Sequence, residues 1–180
     1  MKTFIASGIA AAALVSAASA DVTFSFTNQT WTGFNFTEAY AAGSLTGTLT
    51  GVSVNATLNA STNYTYADDL CVYINPSPLS TGGLLQVGGF SNLNATQRYS
   101  WANGGSSAPG TTVTGTKTLT TGIDMAANPL QSIWIGNGYG AAGTSGTWTG
   151  TITLIGVDVP APGAVALLGL AGFCSRRRRA

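Results

Sequence analysis

The sequence predicts an all-β fold, an antiparallel β-sandwich or jelly roll, on three observations. Apolar residues recur with period two. Turn residues punctuate the chain at roughly ten-residue spacing. No helical periodicity occurs between Asp21 and Asp158. Strands of this kind turn one face to a core and the other to water.

Taken in order, Val22-Thr23-Phe24-Ser25-Phe26 alternates cleanly and predicts a first strand. Asn28 to Gly33 reads as a turn region, after which Phe34-Asn35-Phe36 resumes the pattern. Leu45-Thr46-Gly47-Thr48-Leu49 and Val52-Ser53-Val54 slip in phase by one residue at Gly51, which predicts a bulge or tight bend there. Leu70, Val72 and Ile74 share one face of a further strand, with Cys71 and Tyr73 on the other, and Asn75-Pro76-Ser77-Pro78 ends it. Leu84-Leu85-Gln86-Val87 is a short strand closed by Gly88-Gly89, and Arg98-Tyr99-Ser100-Trp101 is another. A Gly- and Ser-rich loop follows over Asn103–Gly110.

Thr112–Thr120 alternates weakly and is rich in Thr, the pattern of an edge strand. Ile133-Trp134-Ile135 precedes the turn Gly136-Asn137-Gly138, and Trp148, Ile152 and Leu154 share the last face. Two segments resemble each other, Leu45–Val54 and Trp148–Val157; both run apolar, Thr-Gly-Thr, apolar. They are expected to lie in one sheet as neighbours.

Both ends have a different character. Met1–Ala20 begins with Lys2, carries an apolar run from Phe4 to Val15, and ends on Ala18-Ser19-Ala20. This is the pattern of a secretory signal peptide cleaved after Ala20, with Ala18 and Ala20 as the small residues of the cleavage site. At the other end, Val159-Pro160-Ala161-Pro162-Gly163 precedes the apolar run Ala164–Phe173 and the cluster Arg176, Arg177, Arg178 and Arg179. Prolines hold the motif extended and accessible. The apolar run enters a membrane, and the arginines stay on the cytoplasmic side and stall export. Ten apolar residues make about 15 Å of helix against roughly 30 Å of hydrocarbon.

One domain of about 138 residues remains, 21–158, enough for a core of its own. Its acids are Asp21, Glu38, Asp68, Asp69, Asp124 and Asp158, against the bases Arg98 and Lys117, a net charge of −4. Such a surface has no electrostatic footprint for nucleic acid. Hydrophobic residues make up 44% of the chain and charged ones only 7%, which argues against disorder and leaves Thr, Ser, Asn and Gly to keep the surface wet. Cys71 is the only cysteine in the body, so no disulfide forms within it. It is expected to act as a small apolar side chain.

Chemistry-bearing residues are few. The chain has no His, which excludes Ser-His-Asp and Cys-His catalysis. A glycosidase needs two carboxyls flanking a cleft. The available acids are Glu38, Asp68, Asp69 and Asp124; adjacent Asp68 and Asp69 would point to opposite faces on a strand, and are expected instead as turn-forming acids at a strand start. Asp68, Asp69 and Asp124 are too sparse for a typical calcium loop, and neither metal nor cofactor is expected. Sugar binding would use exposed aromatics, for which Trp31, Trp101, Trp134, Trp148, Tyr66, Tyr99 and Tyr139 are candidates; Trp134 and Trp148 read as structural. Trp101 and Tyr139, beside Gly-rich loops, are the candidates for exposure and ligand contact. Six Asn-x-Ser/Thr sites occur, at Asn28, Asn35, Asn55, Asn59, Asn63 and Asn94; Asn is also a good turn residue.

The C-terminal segment 159–180 resembles the PEP-CTERM sorting signal, with motif, apolar run and Arg cluster in the family's order; Ala161 stands where the family has an acid. The resemblance implies export, transient anchoring in the inner membrane, processing by an exosortase-type enzyme, and delivery to the cell surface. A second resemblance covers Asp68–Ile74 with Pro76 and Pro78, and Gly146–Leu154. These segments are similar to the P-domains found beside subtilisin-like proteases, which implies a jelly roll and no particular activity. The expectation is a non-catalytic, structural or adhesive surface domain. The alternative is a carbohydrate-binding module for extracellular polysaccharide, which an exposed row of aromatics would favour. A pair of carboxylates about 5–10 Å apart in a cleft would favour a hydrolase instead.

Overall fold

The computed structural model describes residues 21–160. The signal peptide, the apolar run, the Arg cluster, and Ala161, Pro162 and Gly163 of the sorting motif lie outside the described residues. Val159 and Pro160 lie inside them, exposed beyond the last strand.

Nine strands make an all-β fold in two open sheets. They are β1 (Val22–Thr32), β2 (Phe36–Tyr40), β3 (Thr46–Thr62), β4 (Leu70–Pro76), β5 (Leu85–Val87), β6 (Gln97–Tyr99), β7 (Thr112–Asp124), β8 (Gln131–Asn137) and β9 (Ser145–Asp158). One sheet has the order β1-β9-β3-β7 and the other β2-β8-β4-β5-β6. Every pairing is antiparallel except β5 with β6, which is parallel and departs from the sequence expectation. The described residues hold no helix long and apolar enough to cross a membrane.

The period-two pattern sets the core. Leu49, Val52, Val54, Ala56 and Leu58 of β3 are buried together with Trp148, Ile152 and Leu154 of β9 and Leu70, Val72 and Ile74 of β4. The alternate residues of β1, β3, β7 and β9 are Thr, Ser and Asn. They hydrogen-bond across strands, Thr30 to Thr147 at 2.7 Å, Thr23 to Thr153 at 2.9 Å and Ser53 to Thr116 at 3.2 Å. The phase slip at Gly51 is a register shift against both β7 and β9, as expected. The two look-alike segments are neighbours in antiparallel register, Val52 opposite Leu154 and Val54 opposite Ile152. β7 is an edge strand.

Two expectations fail locally. The turn over Asn28–Gly33 is absent; β1 runs through to Thr32 and absorbs the turn residues in an irregularity between Phe26 and Gln29, where Asn28 sits at φ 48°. Asn tolerates that left-handed conformation, and Asn59 donates to its side chain at 2.7 Å. Three of the six Asn-x-Ser/Thr asparagines, Asn28, Asn63 and Asn94, have this left-handed backbone conformation.

The second failure is at Gly136 and Asn137, expected in a turn and found within β8; β4 is buried on both faces, each apolar row meeting a core of its own. Cys71 and Tyr73 pack with Phe36 and Leu93 in a second small core, under a loop that covers the sheet. The Tyr73 hydroxyl accepts the Gly83 N–H at 2.7 Å and donates to the Leu93 carbonyl at 3.2 Å, pinning that loop down. Cys71 is a free, fully buried thiol, and burial pushes its pKa up, away from reactivity.

Candidate ligand-binding cleft

One three-residue turn organises an end of the molecule. Residues Ala67–Asp69 form a 3-10 turn between β3 and β4. Too short to satisfy its own backbone, the turn takes its partners from three loops and the core. Ala67 N–H donates to Ser106 O at 3.0 Å and Asp68 N–H to Gly104 O at 3.2 Å. The Asp68 carbonyl accepts Gly89 N–H at 3.0 Å, and the Asp69 carbonyl accepts Gly138 N–H at 2.8 Å. The Ala67 carbonyl accepts the Trp148 indole N–H from the core at 3.2 Å. The loop bearing Phe90 and the loop bearing Tyr139 are thereby fixed against the turn and against each other, since Ser91 N–H donates to Gly138 O at 2.8 Å.

These loops wall a cleft of about 160 Å³ lined by Tyr64, Tyr66, Asp69, Phe90 and Tyr139. Tyr64 is 76% exposed and Phe90 75% exposed, far more than a soluble domain gains from leaving such rings in water. Phe90 and Tyr139 meet edge to face, centroids 5.7 Å apart, and form one corner. Tyr64 is held at φ 61° beside Asn63 at φ 51°, an unfavourable region for a bulky residue, which throws its ring to the rim. The Asn63 side chain steadies that turn by donating to Gly143 O at 3.0 Å.

The floor is acidic. Asp69 is only 5% exposed, and its carboxylate accepts the backbone N–H of Tyr66 at 2.7 Å and that of Phe90 from the facing loop. Burial raises its pKa to about 6 despite those bonds, with a further push from the neighbouring Asp68 charge. Burial also raises Asp68. Beyond Tyr66, Asp69 and Phe90 the cleft opens into a polar extension of about 310 Å³ that includes Asp68, Arg98 and Ser100. There the Arg98 guanidinium donates to Phe90 O at 2.9 Å, using one of its five N–H groups.

The sequence candidates fare differently. Tyr139 lines the cleft. Trp101 is a correction: it is only 6% exposed, and its indole N–H donates to Leu70 O at 2.7 Å in the core. Gly88, at φ 78°, makes this possible; a Cβ there would collide with Leu70 O and the indole. Trp148 is buried, as expected, and Trp134 is half-buried with its N–H on Asn75 O. Asp68 and Asp69 are turn-forming acids at a strand start, as expected, and from that turn both line one cleft. Asp124 is elsewhere, capping the turn after β7 through Ala126 and Ala127. Among the described residues no three His, Cys, Asp or Glu side chains come together to hold a metal ion. Tyr66, another of the candidate aromatics, also lines the cleft, whereas Tyr64 and Phe90 were missed, although their setting among Asn, Thr and Gly gave a hint of exposure.

Comparison with protein-family models, with curated proteins and with solved structures returns no match for this chain.

Proposed function

We propose that the chain is an exported cell-surface or matrix protein whose β-domain is a non-catalytic binding module for extracellular polysaccharide. The observation that carries this reading is the cleft. Aromatic side chains from three loops converge on one concavity with hydrogen-bonding groups at its floor, the composition by which proteins stack and orient sugar rings. The domain is read as a sandwich of jelly-roll type. Its orders β1-β9-β3-β7 and β2-β8-β4-β5, the latter extended at its edge by β6, pair early with late strands, as two Greek keys do. The ends supply location. The leader engages the export machinery, and 159–180 anchors the chain in the inner membrane until an exosortase-type enzyme releases it.

Turnover is not part of the proposal. Asp68 and Asp69 approach from one side, whereas glycoside hydrolysis uses carboxyls on both sides of the bond. One observation favours hydrolysis as a second reading: a carboxyl raised to about 6, as Asp69 is, suits a general acid. The test is a glycan array run beside a hydrolase screen on polysaccharides. Binding that Tyr64→Ala weakens at least about tenfold, with no turnover, supports the module. Turnover abolished by Asp69→Asn establishes the hydrolase instead. Fractionation tests the tail. Replacing Arg176–Arg179 with Ser is expected to release the chain from the membrane, and unchanged retention contradicts the sorting role.

A further inference from the structure

The smaller half of the cleft has a composition that stacking on sugar rings does not require. Four aromatic rings, Tyr64, Tyr66, Phe90 and Tyr139, surround a volume of about 160 Å³ with the Asp69 carboxylate at its base. Pockets for drug-sized ligands run to about 300–1,000 Å³, so this half suits a compact head group better than a pyranose with its neighbours. Ring faces carry negative potential, and cations are drawn to them. The buried carboxylate adds a full negative charge on the same wall, in a place where screening by water is weak. Arg98 lines the polar extension rather than the aromatic half, with its guanidinium on Phe90 O. The aromatic half is therefore left to a cation from outside.

We infer that Tyr64, Tyr66, Phe90 and Tyr139 with Asp69 form an aromatic cage for a small methylated ammonium group, of the kind a choline head group carries. This rests on the cleft being the ligand site. It adds that positive charge, rather than ring shape, is what the aromatic half selects. A quaternary ammonium has no N–H to satisfy and presents a greasy, charged surface, which matches rings on the walls and one carboxylate below them. The polar extension, with Asp68, Arg98 and Ser100 next to the cage, receives the hydroxylated remainder of the same molecule.

The experiment is a calorimetric titration of the full chain with choline and with 3,3-dimethylbutanol, its uncharged isostere of the same shape. Choline is expected to bind at least about tenfold more tightly. Asp69→Asn keeps an acceptor for the Tyr66 N–H and is expected to erase most of that preference. Tyr64→Leu, at an exposed position with little structural packing, is expected to lower choline affinity by a similar factor. Phosphatidylcholine vesicles beside phosphatidylglycerol vesicles identify the source. Retention on the former, competed by free choline, marks a lipid head group; choline binding without vesicle retention marks a soluble or polymer-borne one. Equal affinity for choline and its isostere, or no choline binding, overturns the cage. If neutral glycans still bind and Tyr64→Leu weakens them, the polysaccharide reading survives that failure. If Tyr64→Leu changes nothing for any ligand, both fall.

Discussion

Asp69 links stability, site geometry and charge in one side chain. Its oxygens hold the backbone of Tyr66 and of Phe90, so the same carboxylate joins the two walls of the cleft. That arrangement costs stability, because burial opposes ionisation more than the two hydrogen bonds favour it. An unfolded Asp titrates at ~3.9, and the folded carboxyl at about 6 binds its proton more tightly. The folded state is therefore favoured most below the unfolded value. It loses that advantage as pH rises through the window between the two, and the loss is complete above it. Asp68, also raised by burial, acts in the same direction. Urea unfolding is expected to show a higher midpoint at about pH 5 than at about pH 7. Asp69→Asn is expected to flatten that difference, and a wild-type midpoint that falls on acidification contradicts the assignment.

The same scale shows what the sequence could reveal about single residues. Trp134 and Trp148 were readable as structural because they lie within alternating runs. Trp101 sits beside a Gly-rich loop and reads as exposed, yet its indole N–H finds the Leu70 carbonyl, a partner 31 residues away that no local pattern announces. Local composition reports how a chain turns and says little about which distant carbonyl it turns towards.

At the scale of elements, the β3–β9 pairing is the centre of the larger sheet. Its legibility came from length and matched pattern. Two long strands with the same Thr-Gly-Thr pattern match in length and phase as neighbours, and they pair in antiparallel register. Gly150 lies opposite Ala56 in that pair, where the backbones approach closely; a Cβ at 150 would meet the Asn55 carbonyl and lie 2.7 Å from Ala56 Cβ. Gly150→Ala is expected to destabilise the domain by about 1–3 kcal/mol in urea unfolding, the usual cost of forcing atoms into a packed site. A variant as stable as the wild type contradicts the pairing of Gly150 with Ala56. The parallel β5–β6 pair was not legible. β5 and β6 have three residues each, too short for periodicity, and their partners are set by the loop that Tyr73 and Gln86 hold over the sheet.

For the whole molecule, the layers were legible and the cleft was not, for one physical reason. A period-two pattern records which face of a strand meets the core. The cleft is built from residues 64, 66, 69, 90 and 139, which lie on three loops and meet because a 3-10 turn gathers their backbones. Each aromatic alone reads as an ordinary surface ring; their convergence is a property of topology. The function proposed depends on that convergence, on the acid at its base, and on tags that bring the domain to the cell exterior. The most direct measurement follows amide chemical shifts of the isotope-labelled chain during titration with exopolysaccharide. Shifts concentrated at Tyr64, Tyr66, Asp69, Phe90 and Tyr139, and lost in a Tyr64→Ala, Phe90→Ala double variant that keeps the wild-type spectrum elsewhere, are the result predicted. Shifts confined to the Thr-rich face of β1, β9, β3 and β7, or no shifts at saturating polysaccharide, would contradict it.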